Sequence, residues 1–188
     1  MCYNVPMDIR EQIKQEVEGI APLDALEGKH QQEVLRWINS GVEIFRIKKP
    51  ATPPRHLVVY FILVDGEHMF LCDHIKGQSW LPTGGHVDEN EHPRTAAARE
   101  CLEELYIAAE FLSDKPLMVS IAQTVGVPPV HEDVMLWYVL KGDRTQEMQY
   151  DAGEFNGVKW FHFDDIPLDQ GDPNMGRFLE KLRSFREG

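Results

Sequence analysis

Residues 84–107 read GGHVDENEHPRTAAARECLEELYI, and the acids in this stretch are placed rather than merely abundant. Glu100, Glu103 and Glu104 stand three and four residues apart, which sets them on neighbouring ridges of one helix face. Three carboxylates so close repel one another unless cations sit among them, and Mg²⁺ or Mn²⁺ prefers oxygen ligands. Ala97, Cys101, Leu102 and Leu105 form an apolar stripe that anchors such a helix to a core. Pro93 suits a first helical position, and Gly84-Gly85 upstream lets backbone come close to a ligand. The order of loop, tight turn and two-faced helix describes a metal platform.

In this register the stretch resembles the signature of the Nudix hydrolases. That signature runs glycine, five residues, Glu, seven residues, Arg-Glu, an aliphatic residue, any residue, Glu-Glu, any residue, glycine, aliphatic. Gly85, Glu91, Arg99, Glu100, Glu103, Glu104 and Ile107 all fall in place, with both long gaps kept. Two positions depart from it. Cys101 stands at an aliphatic position, where a buried cysteine serves as a small hydrophobe. Tyr106 replaces the last glycine.

Length and composition bound the remainder. A chain of 188 residues suits one well-buried domain with an extension. No apolar run approaches a membrane span, and MCYNVPMDIREQ lacks the apolar core of a signal peptide. Cys2, Cys72 and Cys101 are odd in number and scattered, which suggests neither a disulfide framework nor a zinc knuckle. A cytoplasmic protein is expected. The formal charge of −12 argues against a nucleic acid polymer or an anionic membrane as partner. A small phosphorylated substrate remains compatible, because bound divalent cations reverse the local charge.

Along the chain, Met7–Ile20 and Lys29–Ser40 carry apolar residues at helical spacing, with Pro22 and Gly28 breaking the ground between them and Gly41 as a stop. Residues 1–50 are therefore read as a helical extension and linker. Its helices pack on the main domain, with Trp37 at the contact, or on a second copy in a homodimer. RIKKPATPPR, residues 46–55, reads as an extended connector whose basic side chains allow phosphate contact, a solvated linker being the plainer reading. The main domain, residues 51–188, opens with HLVVYFILVD, an apolar run suited to a strand buried on both faces. HMFLCD, PLMVSIAQT, DVMLWYVL and GVKWFHF read as further strands, WLPT as a short run leading into the glycine pair, VGVPPVHE as a loop, and DPNMGRFLEKLRSF as a closing helix. The fold class is α/β, a mixed sheet between helical layers. The resemblance implies the same α/β/α sandwich.

What the resemblance implies about chemistry is hydrolysis of a pyrophosphate bond in a nucleoside diphosphate derivative, with Mg²⁺ or Mn²⁺ as cofactor. By position in the signature, Glu100, Glu103 and Glu104 would be metal ligands, with the Gly84 carbonyl as another oxygen. Arg99 and Glu91 would form a supporting pair that fixes the carboxylates, and Glu100 would take the proton of the attacking water. A further acid outside the signature is expected at Glu154, with Glu132 and Asp133 behind it; a plain loop acid is the alternative at Glu154. Trp80 is read as core or as a base-stacking ring. His86, His92 and His131 are read as loop polar groups, and Cys72 and Cys101 as core.

Two other functions share the fold. One is a catalytically silent ligand sensor; such domains lose signature carboxylates, and all are present here. The other is an isomerase of the isopentenyl diphosphate type, which needs a cysteine near Thr83; Leu81-Pro82-Thr83-Gly84 offers none. The subfamily marks of ADP-ribose, dinucleoside polyphosphate and coenzyme A hydrolases are missing around Ala122, Thr124 and Val125 and in LCDHIKGQSW. A nucleoside triphosphate is the default substrate. For Tyr106, the expectation is a helix that ends within about two residues of Leu105 and a ring packed on the domain rather than a strained backbone.

Overall fold

The computed structural model describes residues 7–49, 52–123 and 131–187. The helices are α1 (Ile9–Glu18), α2 (Ala25–Asn39), α3 (Pro93–Leu105) and α4 (Met175–Glu187). The strands are β1 (Arg55–Asp65), β2 (His68–His74), β3 (Ser79–Leu81), β4 (Thr83–His86), β5 (Met118–Gln123), β6 (Glu132–Lys141) and β7 (Phe155–His162). Most of the loop read as VGVPPVHE, together with Thr124, Val125, Pro50 and Ala51, lies outside the described residues.

The sheet follows the order β3-β2-β1-β6-β5, with β4 also paired to β1 and β7 to β2. β1 and β6 are parallel; the other pairings are antiparallel. β1 sits at the centre because its run of apolar residues is buried on both sides. Leu57, Val59, Phe61 and Leu63 join one core and Val58, Ile62 and Val64 the other, the period of two expected of a strand. The first core holds Ala96, Ala97, Cys101 and Leu105 of α3 together with Ile13, Val17, Val34 and Ile38 of α1 and α2. The second holds Met175, Phe178, Leu179 and Leu182 of α4. Helices therefore cover both faces of a mixed sheet, as expected. WLPT divides into β3 and β4 at Pro82, which has no N–H to give a ladder.

The N-terminal helices are attached to their own chain. Their apolar stripes share the core of the sheet, and Trp37 packs partly buried against it under the Arg55 guanidinium, 5.4 Å from the ring centroid. Tyr138 on β6 donates to Glu16 Oε2 at 2.5 Å. At the far end of the extension, the Lys181 ammonium lies 2.5 Å from Glu27 Oε1, both buried, and Arg177 forks onto Asp24.

Three expectations are corrected. α2 begins at Ala25, not Lys29, and Gly28 lies inside it. Asp24 Oδ1 accepts from Glu27 N at 2.8 Å and Glu27 Oε2 accepts from Leu23 N at 2.7 Å. This reciprocal cap offsets the roughly 1 kcal/mol that a helical glycine costs. Leu102 is 58% exposed, and Ala96 takes its place in the core. One residue past Cys101, its side chain points about 100° round the helix, off the buried stripe. The third concerns Tyr106. The helix ends at Leu105 as expected, but Tyr106 adopts φ 57°, ψ 27°, and its side chain is 56% exposed. The ring is not packed; the backbone carries the strain that a glycine avoids. Tyr106→Gly is therefore expected to leave the urea midpoint equal or higher, relieving about 1–2 kcal/mol less the entropy a new glycine loses on folding. A clear drop in midpoint would restore the packed-ring reading.

Candidate active site

α3 runs beside the glycine pair because β4 feeds straight into the loop before it. His92 caps the helix, its Nδ1 accepting from Arg94 N at 3.2 Å, and Pro93 fills the first position. Gly84 and Gly85 are required by two different neighbours. A Cβ on Gly84 would lie 2.0 Å from the Val59 carbonyl oxygen on β1, whereas one on Gly85 would lie 2.2 Å from Glu100 Oε1. The pair thus holds β4 in the sheet and gives a carboxylate room against the backbone.

Arg99 organises the acids. Its Nε and Nη2 donate to the two oxygens of Glu91 at 3.0 and 2.9 Å, Nη1 donates to Glu100 Oε1 at 2.7 Å, and Nη2 also reaches the His86 carbonyl at 3.0 Å. A guanidinium fork of this kind fixes planes as well as distances. Burial raises the Glu91 carboxyl, but the Arg99 hydrogen bonds, the Asp88 backbone bond and the Arg99 charge together outweigh it and hold the group low. Those same bonds, the one to Glu91 foremost, push Arg99 further up. Glu103 meets Arg99 Nη1 at 3.4 Å, with its side chain 60% exposed.

A cavity of about 410 Å³ opens beside α3. Glu100, Glu104, Glu154, Gly84 and Gly85 all line it, with Arg46, Lys49, Lys76 and Tyr60 among the other walls. Glu103 is not among these walls. Glu104 is buried, and its Oε2 accepts from Gly84 N at 3.1 Å. Burial first, then the charges of Glu100 and Glu154, raise its carboxyl to about 9 against that one hydrogen bond. Burial likewise raises Glu100, opposed by Arg99 and reinforced by Glu103 and Glu154. Glu154 arrives from the loop before β7. Its N–H donates to the Asp151 carbonyl at 3.0 Å, and Asp151 N donates in turn to the Glu104 carbonyl at 2.9 Å. Sequence reasoning placed this acid near the site, and the loop's tie to α3 is the reason.

This donor set fits a hard divalent cation. The acids are all oxygen donors lining one cavity, and around buried Glu104 the charges of Glu100 and Glu154 add to the effect of burial, a cost that a cation relieves. Glu132 does not join them; it pairs with Arg55 at 2.8 Å. Asp133 does face the cavity, in company that sequence reasoning missed. His56, His86 and His131 gather round it, with one candidate donor atom from each of the four residues within 4.8 Å of the others. β1, β4 and the start of β6 bring His86 and His131 beside His56 and Asp133. Nothing local in the sequence marks this, as His56 and Asp133 meet only through the β1–β6 register. Trp80 packs edge-on against Phe161, 5.0 Å between centroids, partly buried beside the second core. Thr83 is buried and donates to the Phe61 carbonyl at 3.0 Å, a structural bond rather than a reactive group. Cys72 and Cys101 are buried as expected, and burial pushes the Cys101 thiol up to about 12.

The connector before β1 also contributes. Ile44 and Phe45 are buried, Leu57 N donates to the Ile44 carbonyl at 2.8 Å, and Arg46 and Lys49 reach the cavity. The solvated-linker reading fails for Arg46, which is half-buried and meets His86, whereas Lys49 lines the cavity but stays exposed. Among the described residues, no helix is long and apolar enough to cross a membrane.

The family model for the NUDIX domain matches residues 54–182. Among solved structures, a NUDIX-family hydrolase from Clostridium perfringens superposes with a TM-score of 0.53 at 24% identity, covering 70% of this chain and 98% of that one. A protein of Deinococcus radiodurans superposes with a TM-score of 0.50 at 16% identity, covering 73% and 89%. At these identities the likeness speaks for the fold. A search of curated proteins finds no match. With the family model spanning most of the chain, and the signature seated on a glycine-backed helix, this protein belongs to the Nudix hydrolase family.

Proposed function

We propose that this Nudix hydrolase splits a pyrophosphate bond in a nucleoside diphosphate derivative, with Mg²⁺ or Mn²⁺ as its cofactor. The supporting observation is the trio Glu100, Glu104 and Glu154, which line one cavity with the glycine pair, Glu104 buried and the other two half-buried. Glu100, Glu104 and the Gly84 carbonyl would hold the ion, with Glu103 joining from the rim and Glu154 supplying the further acid. Bound there, a divalent cation neutralises phosphate charge and acidifies coordinated water.

The protein's own residues do the rest. Arg99 and Glu91 lock the Glu100 carboxylate in place, so little reorganisation is left for the moment of reaction. Glu100 accepts the proton of the attacking water, and burial suits it by raising its basicity. Arg46, Lys49 and Lys76 carry positive charge to the cavity wall, where substrate phosphates need it. A cavity of this size holds one small nucleotide-type molecule rather than a polymer.

In this reading residues 1–50 are an extension that braces a domain of residues 51–188, in a cytoplasmic protein. The apolar stripes of α1 and α2 are covered within one chain, so they do not call for a second copy.

The test is a screen of nucleoside triphosphates, oxidised nucleotides, nucleotide sugars and dinucleotides with product identification. Mg²⁺-dependent release of phosphate or pyrophosphate from one class is expected. Tight binding without turnover across all classes would instead identify a silent sensor.

A further inference from the structure

We propose that His56, His86, His131 and Asp133 form a second cation site, separate from the carboxylates, which takes a borderline transition metal such as Zn²⁺. It would sit in the wall of the same cavity, which His86, His131 and Asp133 line. The inference does not depend on which substrate the enzyme cleaves.

Strand pairing assembles the four. His56 is the direct partner of Asp133 in the parallel β1–β6 ladder. His86 ends β4 opposite Val58, two residues along β1 from His56 and on the same face. His131 precedes Asp133 by two residues. The His56 ring is fully buried, with the His86 and His131 rings each 4.8 Å away between centroids.

The hydrogen bonding of His56 then points to an ion. Its Nδ1 lies 2.9 Å from the Pro53 carbonyl oxygen. A carbonyl only accepts, so Nδ1 carries the proton and the neutral ring presents a lone pair at Nε2. A ligating histidine is commonly held this way, its other nitrogen donating to backbone. Nε2 makes no hydrogen bond among the described residues, and it faces Asp133 Oδ1 at 3.4 Å. The same Oδ1 lies 3.1 Å from His131 Nε2. A lone pair and a carboxylate oxygen repel unless something positive lies between them.

Distances and donor types agree with a metal. Tetrahedral Zn²⁺ with bonds of about 2.0–2.1 Å sets its ligand atoms about 3.3 Å apart. Two edges of the group, 3.1 and 3.4 Å, bracket that value, and all four donor atoms lie within 4.8 Å of one another. Three imidazoles and one carboxylate favour Zn²⁺ over Mg²⁺, whereas the oxygen-only platform on α3 favours the reverse. Arg46 Nη1 now lies 3.1 Å from His86 Nε2, so His86 joins as fourth ligand through its other nitrogen or by releasing that contact. With His86 held by Arg46, the fourth position is left toward the cavity.

The test uses the full chain, stripped with a chelator, desalted and kept in excess Mg²⁺ to saturate the carboxylates. Zn²⁺ is titrated against a chromophoric competitor, and Co²⁺ is added separately to read the visible bands of tetrahedral coordination. One Zn²⁺ per chain is expected, with intense Co²⁺ bands, and both persist in Glu104→Gln. Asp133→Asn, nearly isosteric, and His131→Gln should each weaken Zn²⁺ by about 100-fold or more. Circular dichroism identifies variants that fold, and the wild-type titration decides by itself if neither does. The proposal is overturned if wild-type protein takes up no Zn²⁺ under excess Mg²⁺, or gives only weak octahedral Co²⁺ bands. It is equally overturned if folded variants bind as wild type does, or if Glu104→Gln abolishes binding.

Discussion

Glu104→Gln is expected to lower metal-dependent turnover by about 10²–10³-fold or more while leaving the fold in place. Glutamine keeps nearly the same volume, and its Oε1 can still accept the Gly84 N–H that Glu104 accepts at 3.1 Å. What it removes is a carboxyl that a bound cation would hold ionised, beside Glu100 and Glu154 on the cavity. Melting in the presence of chelator should therefore be close to wild type, while the extra stabilisation that Mg²⁺ gives the wild type should shrink. Two measurements separate the effects: kcat/KM across a Mg²⁺ series, and thermal melts with and without the ion. Wild-type turnover at low Mg²⁺ would remove Glu104 from the metal platform.

The second large effect lies far from the cavity. Lys181→Ala should destabilise the protein by about 3–5 kcal/mol, because it strands the Glu27 carboxylate in a fully buried place. One oxygen of Glu27 keeps its bond from Leu23 N; the other loses the ammonium at 2.5 Å. The double variant Glu27→Gln/Lys181→Met should recover much of the loss, since it removes both charges together. Neither residue lines the cavity, so turnover per folded molecule should hold. Urea denaturation of the single and double variants checks this. A single-variant loss under about 1 kcal/mol would mean that the pair behaves as an exposed one.

How far the sequence carries depends on whether a contact is local. The acids of α3 could be read because helical spacing alone sets their neighbours, and the fork of Arg99 onto Glu91 followed from the signature's register. Central β1 was readable from its unbroken apolar run. The start of α2 was missed because the cap formed by Asp24 and Glu27 outweighs the glycine that follows it. Leu102 was misassigned since an apolar residue at the margin of a stripe can fall on either side of it. Tyr106 shows the same limit: where the helix stops is a local matter, but whether a ring finds a partner is not. The histidine cluster was out of reach for a stronger reason. Its members meet only through the parallel register of two strands whose crossover no short-range pattern specifies.

The docking of α1 and α2 bears on how the chain comes together during synthesis. Tyr138 and Glu16 meet across 122 residues, and Lys181 and Glu27 across 154. The helical hairpin is thus translated well before the strand and the helix that receive it. Until β5 and β6 exist, Ile13, Val17, Val34 and Ile38 lack part of the sheet whose core they share. Closure of contacts so distant in sequence comes late and slows folding, since loop entropy must be lost before the contacts repay it. The nascent chain therefore carries an open apolar hairpin through most of its translation, and that hairpin is where a chaperone would find its hold.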